Sequence, residues 1–156
     1  GAPYWDGWDA VAAGLDRVRL PGRFHLAPPY IFDVAHNPDG AAVLARTLRH
    51  VSPPAPVAAL LCVLDDKDWR GLMTTLAPVV AHFVLTDAPT APRSRSWRLA
   101  DAQAFATTQG WAATAEPDFD RALALARSRG ATVLVTGSFH TVGDAMARLQ
   151  VDPLGG

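Results

Sequence analysis

The sequence predicts an α/β fold: a Rossmann-like, three-layer domain with a mostly parallel sheet of about six strands and one antiparallel edge strand. Two observations carry that expectation. Short apolar runs rich in Val, Leu and Ile alternate with longer segments whose apolar residues recur at helical spacing, which is the pattern of βαβ units and a parallel sheet. The ends of these runs pass directly into polar residues and helix-start signals, most clearly in Tyr30-Ile31-Phe32-Asp33-Val34-Ala35-His36-Asn37-Pro38.

Taken in order, the opening tract Trp8 to Leu15 has helical character. Pro21-Gly22-Arg23-Phe24-His25-Leu26 reads as the antiparallel edge strand. Strands are expected at Tyr30 to Val34, Val57 to Leu64, His82 to Thr86, weakly near Trp111 to Thr114, and at Thr132 to Thr136. Helices are expected at Pro38 to His50, Trp69 to Leu76, Leu99 to Gln109, Asp118 to Arg129, and from about Thr141 to Leu149. Asn37 can cap the first of these with Pro38 at its first helical position; Asp68 precedes the second and Asp118 opens the fourth. The stretch Asp87 to Ser96, with two prolines and two arginines, reads as a surface loop. Because it follows a strand, it sits on the same edge of the sheet as the other strand ends.

A chain of 156 residues, 49% hydrophobic and 19% charged, suits one globular domain with a sizeable core. The formal net charge of −1, with both signs interspersed, gives no basic stripe, so no nucleic-acid partner is expected. Cys62 is the single cysteine and lies in an apolar run; it reads as a buried core thiol, and neither an internal disulfide nor a cysteine-rich zinc site can form. No apolar stretch reaches the roughly 18 to 20 residues that cross a bilayer, and the N-terminus has no basic region followed by an apolar core. No membrane partner and a cytoplasmic location are therefore expected.

Open parallel sheets bind ligands outside the carboxyl ends of their strands, where helix N-termini favour anions. A nucleotide or another anion is thus the first expectation there. Asp33 at a strand end can accept from ribose hydroxyls or help hold a metal; equally it can cap or pair with an arginine. His36 can donate to phosphate or carboxylate oxygens, or be a solvated loop side chain. For Asn37, capping alone accounts for the residue type. In Asp65-Asp66-Lys67-Asp68, Lys67 can meet a phosphate or an anionic intermediate as a mobile point charge, or simply neutralise its acidic neighbours. Gly137 in Thr136-Gly137-Ser138-Phe139-His140-Thr141 allows close backbone approach, and Ser138 can donate or cap. A nucleophilic set of Ser138, His36 or His140, and Asp33 lacks the Gly-x-Ser-x-Gly elbow. Arg23 can reach a phosphate or be structural. Trp5, Trp8 and Trp97 read as packing or interface residues and hint at a missing neighbour. The chain has neither Gly-x-x-x-x-Gly-Lys-Ser/Thr nor Gly-x-Gly-x-x-Gly after a strand, so it carries half a nucleotide site at most.

Leu20-Pro21-Gly22-Arg23-Phe24, Ile31 to Pro38, Leu64 to Asp68 and Thr136 to Val142, in that order, resemble the C-terminal domain of folylpolyglutamate synthase and bifunctional dihydrofolate synthase. The resemblance runs from about Val18 to Leu149, and the broader relatives are the Mur ligases. It implies an ATP-dependent ligase in which a substrate carboxylate becomes an acyl phosphate and the amine of L-glutamate attacks it, with dihydropteroate or a folate as acceptor. Carried onto matching positions, Arg23 would contact ATP phosphates and Asp33 the ribose. His36 and Asn37 would line the junction of nucleotide and glutamate, Lys67 would steady the acyl phosphate, and Ser138 would help hold glutamate. The family's P-loop domain, which would hold most of the Mg2+ contacts, is absent from this sequence. Residues 1–20 are accordingly expected to be an interdomain linker or helix remnant and 21–156 the C-terminal domain, inactive alone and packing on an ATP-binding domain of a longer chain. The alternatives are the equivalent domain of a cell-wall amino-acid ligase and a standalone non-catalytic binding module.

Overall fold

The computed structural model describes residues 7–15 and 22–153. Trp5 and Pro21, which figure in the expectations above, lie outside them. Six strands form one sheet in the order β1-β2-β6-β3-β4-β5: β1 His25–Ala27, β2 Tyr30–Asp33, β3 Val57–Leu61, β4 His82–Leu85, β5 Ala113–Ala115 and β6 Thr132–Thr136. Only β1 is antiparallel, paired along β2. The helices are α1 Trp8–Gly14, α2 Pro38–Val51, α3 Trp69–Leu76, α4 Leu99–Gln109, α5 Phe119–Arg129 and α6 Phe139–Leu149. None among the described residues is long and apolar enough to cross a membrane.

The two central strands, β3 and β6, are buried at every position, which is why their sequences are continuous apolar runs rather than alternating ones. Right-handed crossovers carry α2, α3 and α4 over one face and return α5 over the other. On the first face, α1 and α3 pack along α2, and Trp69 of α3 meets Phe105 of α4 edge to face at 5.8 Å. On the second, Arg148 of α6 bonds Asp120 of α5 and stacks over Phe119. The result is three layers. Helix starts follow local chemistry: Asn37, Asp68, Asp118 and Ser138 each accept the amide three residues on, satisfying a donor the helix itself cannot.

Of the boundaries that differ from expectation, three have a specific structural cause. The edge strand covers His25–Ala27, because Gly22 and Phe24 both adopt positive φ and turn the chain before pairing begins. The third strand stops at Leu61 rather than Leu64, since its partners end at Leu85 and Thr136 in the same register and nothing remains to pair with. The last helix starts at Phe139, two residues early, because Ser138 rather than a later residue caps it. Cys62 is buried as expected, and burial pushes its thiol pKa up to about 11, so the inert thiol dominates. Trp97 is also buried, donating its indole N–H to the Thr86 carbonyl at 2.9 Å.

Gly137 locks β6 against the loop after β3. Its φ is +115°, and a Cβ there would collide with the Cys62 carbonyl. Gly137→Ala should therefore lower the unfolding free energy by roughly 2 kcal/mol or more, measured by urea denaturation.

Candidate functional site

The carboxyl ends of β2, β6, β3 and β4 open into a cleft of about 230 Å³ lined by His36, Leu64, Lys67, Arg95, Gly137, Ser138, Phe139 and His140. The neighbouring strands β2, β6 and β3 send their following helices to alternate faces, which opens a crevice at such a switch point. Four of the lining residues carry side-chain nitrogen, two of them the cations Lys67 and Arg95, and no carboxylate lines the cleft. An anionic ligand suits that lining.

His36 sits in the turn from β2 to α2. Its Nδ1 lies 3.1 Å from the Val34 carbonyl, which can only accept, so Nδ1 carries the proton and the neutral ring keeps a lone pair on Nε2. The Phe139 ring, two-thirds exposed, lies across from it at 6.2 Å. Lys67 comes from the loop after β3 and its ammonium has no hydrogen bond or ion pair among the described residues. Ser138 is buried. Thr141 donates its hydroxyl to the Cys62 carbonyl, so the 2.9 Å contact between the two hydroxyls has Ser138 as donor, while Ser138 Oγ accepts the Thr141 amide. What remains on Ser138 is acceptor capacity, and its hydroxyl bonds neither histidine. A Ser-His-Asp nucleophile is not assembled.

Arg23 and Asp33 lie beside this cleft rather than in it. Asp33 is 5% exposed, and its two oxygens accept the Phe24 amide at 3.0 Å and the Ala35 amide at 2.9 Å. Arg23 stands 3.6 Å away with 42% of its side chain exposed. The carboxylate thus folds the Gly22–Phe24 turn back onto the end of β2, aided by the Val34 amide donating to the Gly22 carbonyl at 2.8 Å. Asn37 caps α2 at the boundary between the two groups. Of the residues singled out from sequence, the cleft gathers His36, Lys67, Gly137, Ser138 and His140; Arg23 and Asp33 form a second cluster beside it.

Arg95 is the lining residue that sequence reasoning missed as an individual. It occupies a single 3-10 turn, Arg93–Arg95, inside the proline-rich loop. The available signal was the loop's position after a strand, on the ligand edge. Its Nε and Nη2 grip the Asp66 carboxylate at 2.9 to 3.3 Å, and this bonding holds the exposed Asp66 below the ordinary carboxylate pKa. Among the described residues no group of three or more His, Cys, Asp or Glu could hold a metal ion.

Burial raises the Asp33 pKa above its ordinary 3.8, against the lowering effect of the Ala35 and Phe24 amides and of Arg23. Proton uptake is then easier in the folded state. This group's contribution to stability is fully present below the unfolded pKa and is lost as pH rises through the folded one. Relative to Asp33→Asn, which does not titrate, the wild-type domain should gain unfolding free energy as pH falls from about 7 towards about 4, read by urea denaturation at each pH. A difference that moved the other way would contradict this account of Asp33.

Residues 22–139 match the family model described as Mur ligase, glutamate ligase domain. The chain is 32% identical over 157 aligned residues to the dihydrofolate synthase/folylpolyglutamate synthase of Escherichia coli strain K12, covering 95% of this chain and 35% of that protein. The chain thus spans about a third of the length of that curated relative. Its fold superposes on Mycobacterium tuberculosis folylpolyglutamate synthase complexed with ADP and AMPPCP at a TM-score of 0.76, with 32% identity over 93% of this chain and 36% of the other. A bifunctional folylpolyglutamate synthase/dihydrofolate synthase with Mn, AMPPNP and L-glutamate bound gives a TM-score of 0.69, with 32% identity over 87% of this chain and 33% of that one. The chain belongs to the Mur ligase glutamate ligase domain family, in the form carried by dihydrofolate synthase/folylpolyglutamate synthases.

Proposed function

We propose that this chain is the amino-acid-binding C-terminal domain of a cytoplasmic, ATP-dependent folylpolyglutamate synthase/dihydrofolate synthase, working with an ATP-binding domain in a longer polypeptide. The observation that carries this reading is the cleft at the strand ends, lined by Lys67, Arg95, His36 and His140 and by no carboxylate. L-Glutamate brings two carboxylates, and the acyl phosphate it attacks is also anionic. Such a reaction needs fixed positive groups in a site that excludes water on closure.

In this reading the acceptor, dihydropteroate or a folate glutamyl tail, arrives as an acyl phosphate formed with ATP on the neighbouring domain. The amine nitrogen of glutamate attacks the acyl carbon, the C–N bond forms, and the C–O bond to phosphate breaks with phosphate leaving. The nitrogen must lose a proton, and the lone pair on His36 Nε2 receives it in this reading. Lys67, whose ammonium has no hydrogen bond or ion pair among the described residues, neutralises charge on the phosphate as it departs. The remaining acceptor capacity of Ser138 suits the ammonium of the incoming amino acid. Asn37, at the start of α2, borders both ligands.

The second cluster fits the nucleotide. Arg23 offers an exposed planar fork to ATP phosphates. Asp33 keeps acceptor positions beyond the two amides it holds, which can take ribose hydroxyls. Mg2+ belongs in this reading mainly to the neighbouring domain, together with the phosphates of the nucleotide.

The test is ligation by the full-length polypeptide, with ATP, L-glutamate and either dihydropteroate or a reduced folate. Turnover is expected with at least one acceptor, and none from the 156-residue chain alone. His36→Ala should lower kcat by roughly 10²-fold or more, the span of a lost general base, with the Tm little changed. Ligation of a cell-wall precursor instead of either pteridine acceptor would overturn the folate assignment.

A further inference from the structure

We infer that Arg95 is the residue that selects the amino-acid substrate, by pairing with its side-chain carboxylate at the far end of the cleft. The inference rests on the amino-acid-binding role proposed above, and it begins from strand order. His36 follows β2, Ser138 follows β6, Lys67 follows β3, and Arg95 lies in the loop after β4. The Asp65 amide donates to the Arg95 carbonyl, so Arg95 stands over the loop after β3, on the opposite side of Ser138 from His36 and two strand spacings of about 4.8 Å, roughly 10 Å, along the sheet. An amino acid whose amine meets His36 therefore extends its side chain toward Arg95. The α-carboxylate, common to every amino acid, stays near the reacting amine and Lys67. The side-chain carboxylate is the group that distinguishes an acidic amino acid from its neutral isosteres.

The guanidinium is prepared for that role. A guanidinium has two faces that take a carboxylate in bidentate fashion: the side face, formed by Nε and Nη2, and the end face, formed by Nη1 and Nη2. Asp66 takes the side face, and Nη1 has no hydrogen bond among the described residues. The end face remains available with its orientation fixed by Asp66. The backbone beneath it is held independently: the Asp65 amide donates to the Arg95 carbonyl at 2.8 Å, Ser96 bridges to Leu64, and the buried Asp144 on α6 accepts the Thr90 amide at 3.0 Å. A loop so anchored binds without first being ordered.

The experiment uses the full-length ligase with saturating ATP and acceptor, comparing L-glutamate with L-norvaline, which has the same chain length and no side-chain carboxylate. Wild-type ligation of L-glutamate is required first, and its failure counts against the proposed function itself. Given that activity, Arg95→Met should raise KM for L-glutamate about tenfold or more, leave KM for ATP within about twofold, and reduce discrimination against L-norvaline by a similar factor. Arg95→Lys, which keeps charge without the fork, should fall between, and it carries the test if Arg95→Met does not fold. Asp66→Ala removes the ion pair but keeps the guanidinium, so its effect on KM should be smaller than that of Arg95→Met. Unchanged discrimination in both Arg95 variants would overturn the assignment. So would an Asp66→Ala effect equal to that of Arg95→Met, because the pair would then serve only to hold the loop.

Discussion

The site depends on one constraint: β2, β6, β3 and β4 all stop at the same level. Asp33 pairs with Thr136, Thr136 with Leu61, and Leu61 with Leu85. Parallel register fixes these ends to within a residue, because a slip by one would turn every apolar side chain of a fully buried strand to the other face. Beyond that line the four segments that follow these strands deliver His36, Ser138 and His140, Lys67, and Arg95 to the same opening. Gly137 tightens the arrangement by letting the β6 turn lie against the Cys62 carbonyl.

Two clusters with different electrostatic character grow from these ends. In the Arg23–Asp33 pair, a buried carboxylate is surrounded by two amides and a guanidinium, and its first task is to shape the Gly22–Phe24 turn. In the cleft, the Lys67 ammonium and Arg95 Nη1 have no hydrogen bond among the described residues, and no carboxylate is in the lining. Asp66, which does not line the cleft, stands behind Arg95 and orients it. The divided ligase site proposed above would give both clusters a role: the turn beside the nucleotide, the cleft around the amino acid. Phe139, exposed at the mouth beside His36, adds an apolar rim that the proposed closing domain would cover.

Much of the fold was legible because buried parallel strands and capped helices leave local signatures. Val57 to Leu61 and Thr132 to Thr136 are continuous apolar runs, and Asn37, Asp68 and Asp118 cap where their types predict. The boundaries that moved were set by nonlocal facts: where a neighbouring strand ends, as at Leu61, or how a buried carboxylate bends a turn, as at Gly22–Phe24. For the site, residues next to strand ends could be named from sequence, including His36 and Lys67. Arg95 could not, because its loop reaches the cleft through a bridge from Ser96 to Leu64 and a bond from Thr90 to Asp144, neither of which has a periodic signal. Ser138 was named, but the direction of its hydroxyl emerges only from the chain of bonds through Thr141 to Cys62.

The central claim, that this domain supplies the amino-acid half of a site shared with an ATP-binding domain, is tested most directly by a structure of the full-length polypeptide with a non-hydrolysable ATP analogue and L-glutamate. The account predicts glutamate seated between His36, Lys67 and Arg95, with the nucleotide phosphates on the Arg23 side. Glutamate and nucleotide both held wholly by other parts of the polypeptide, with this cleft vacant, would contradict it.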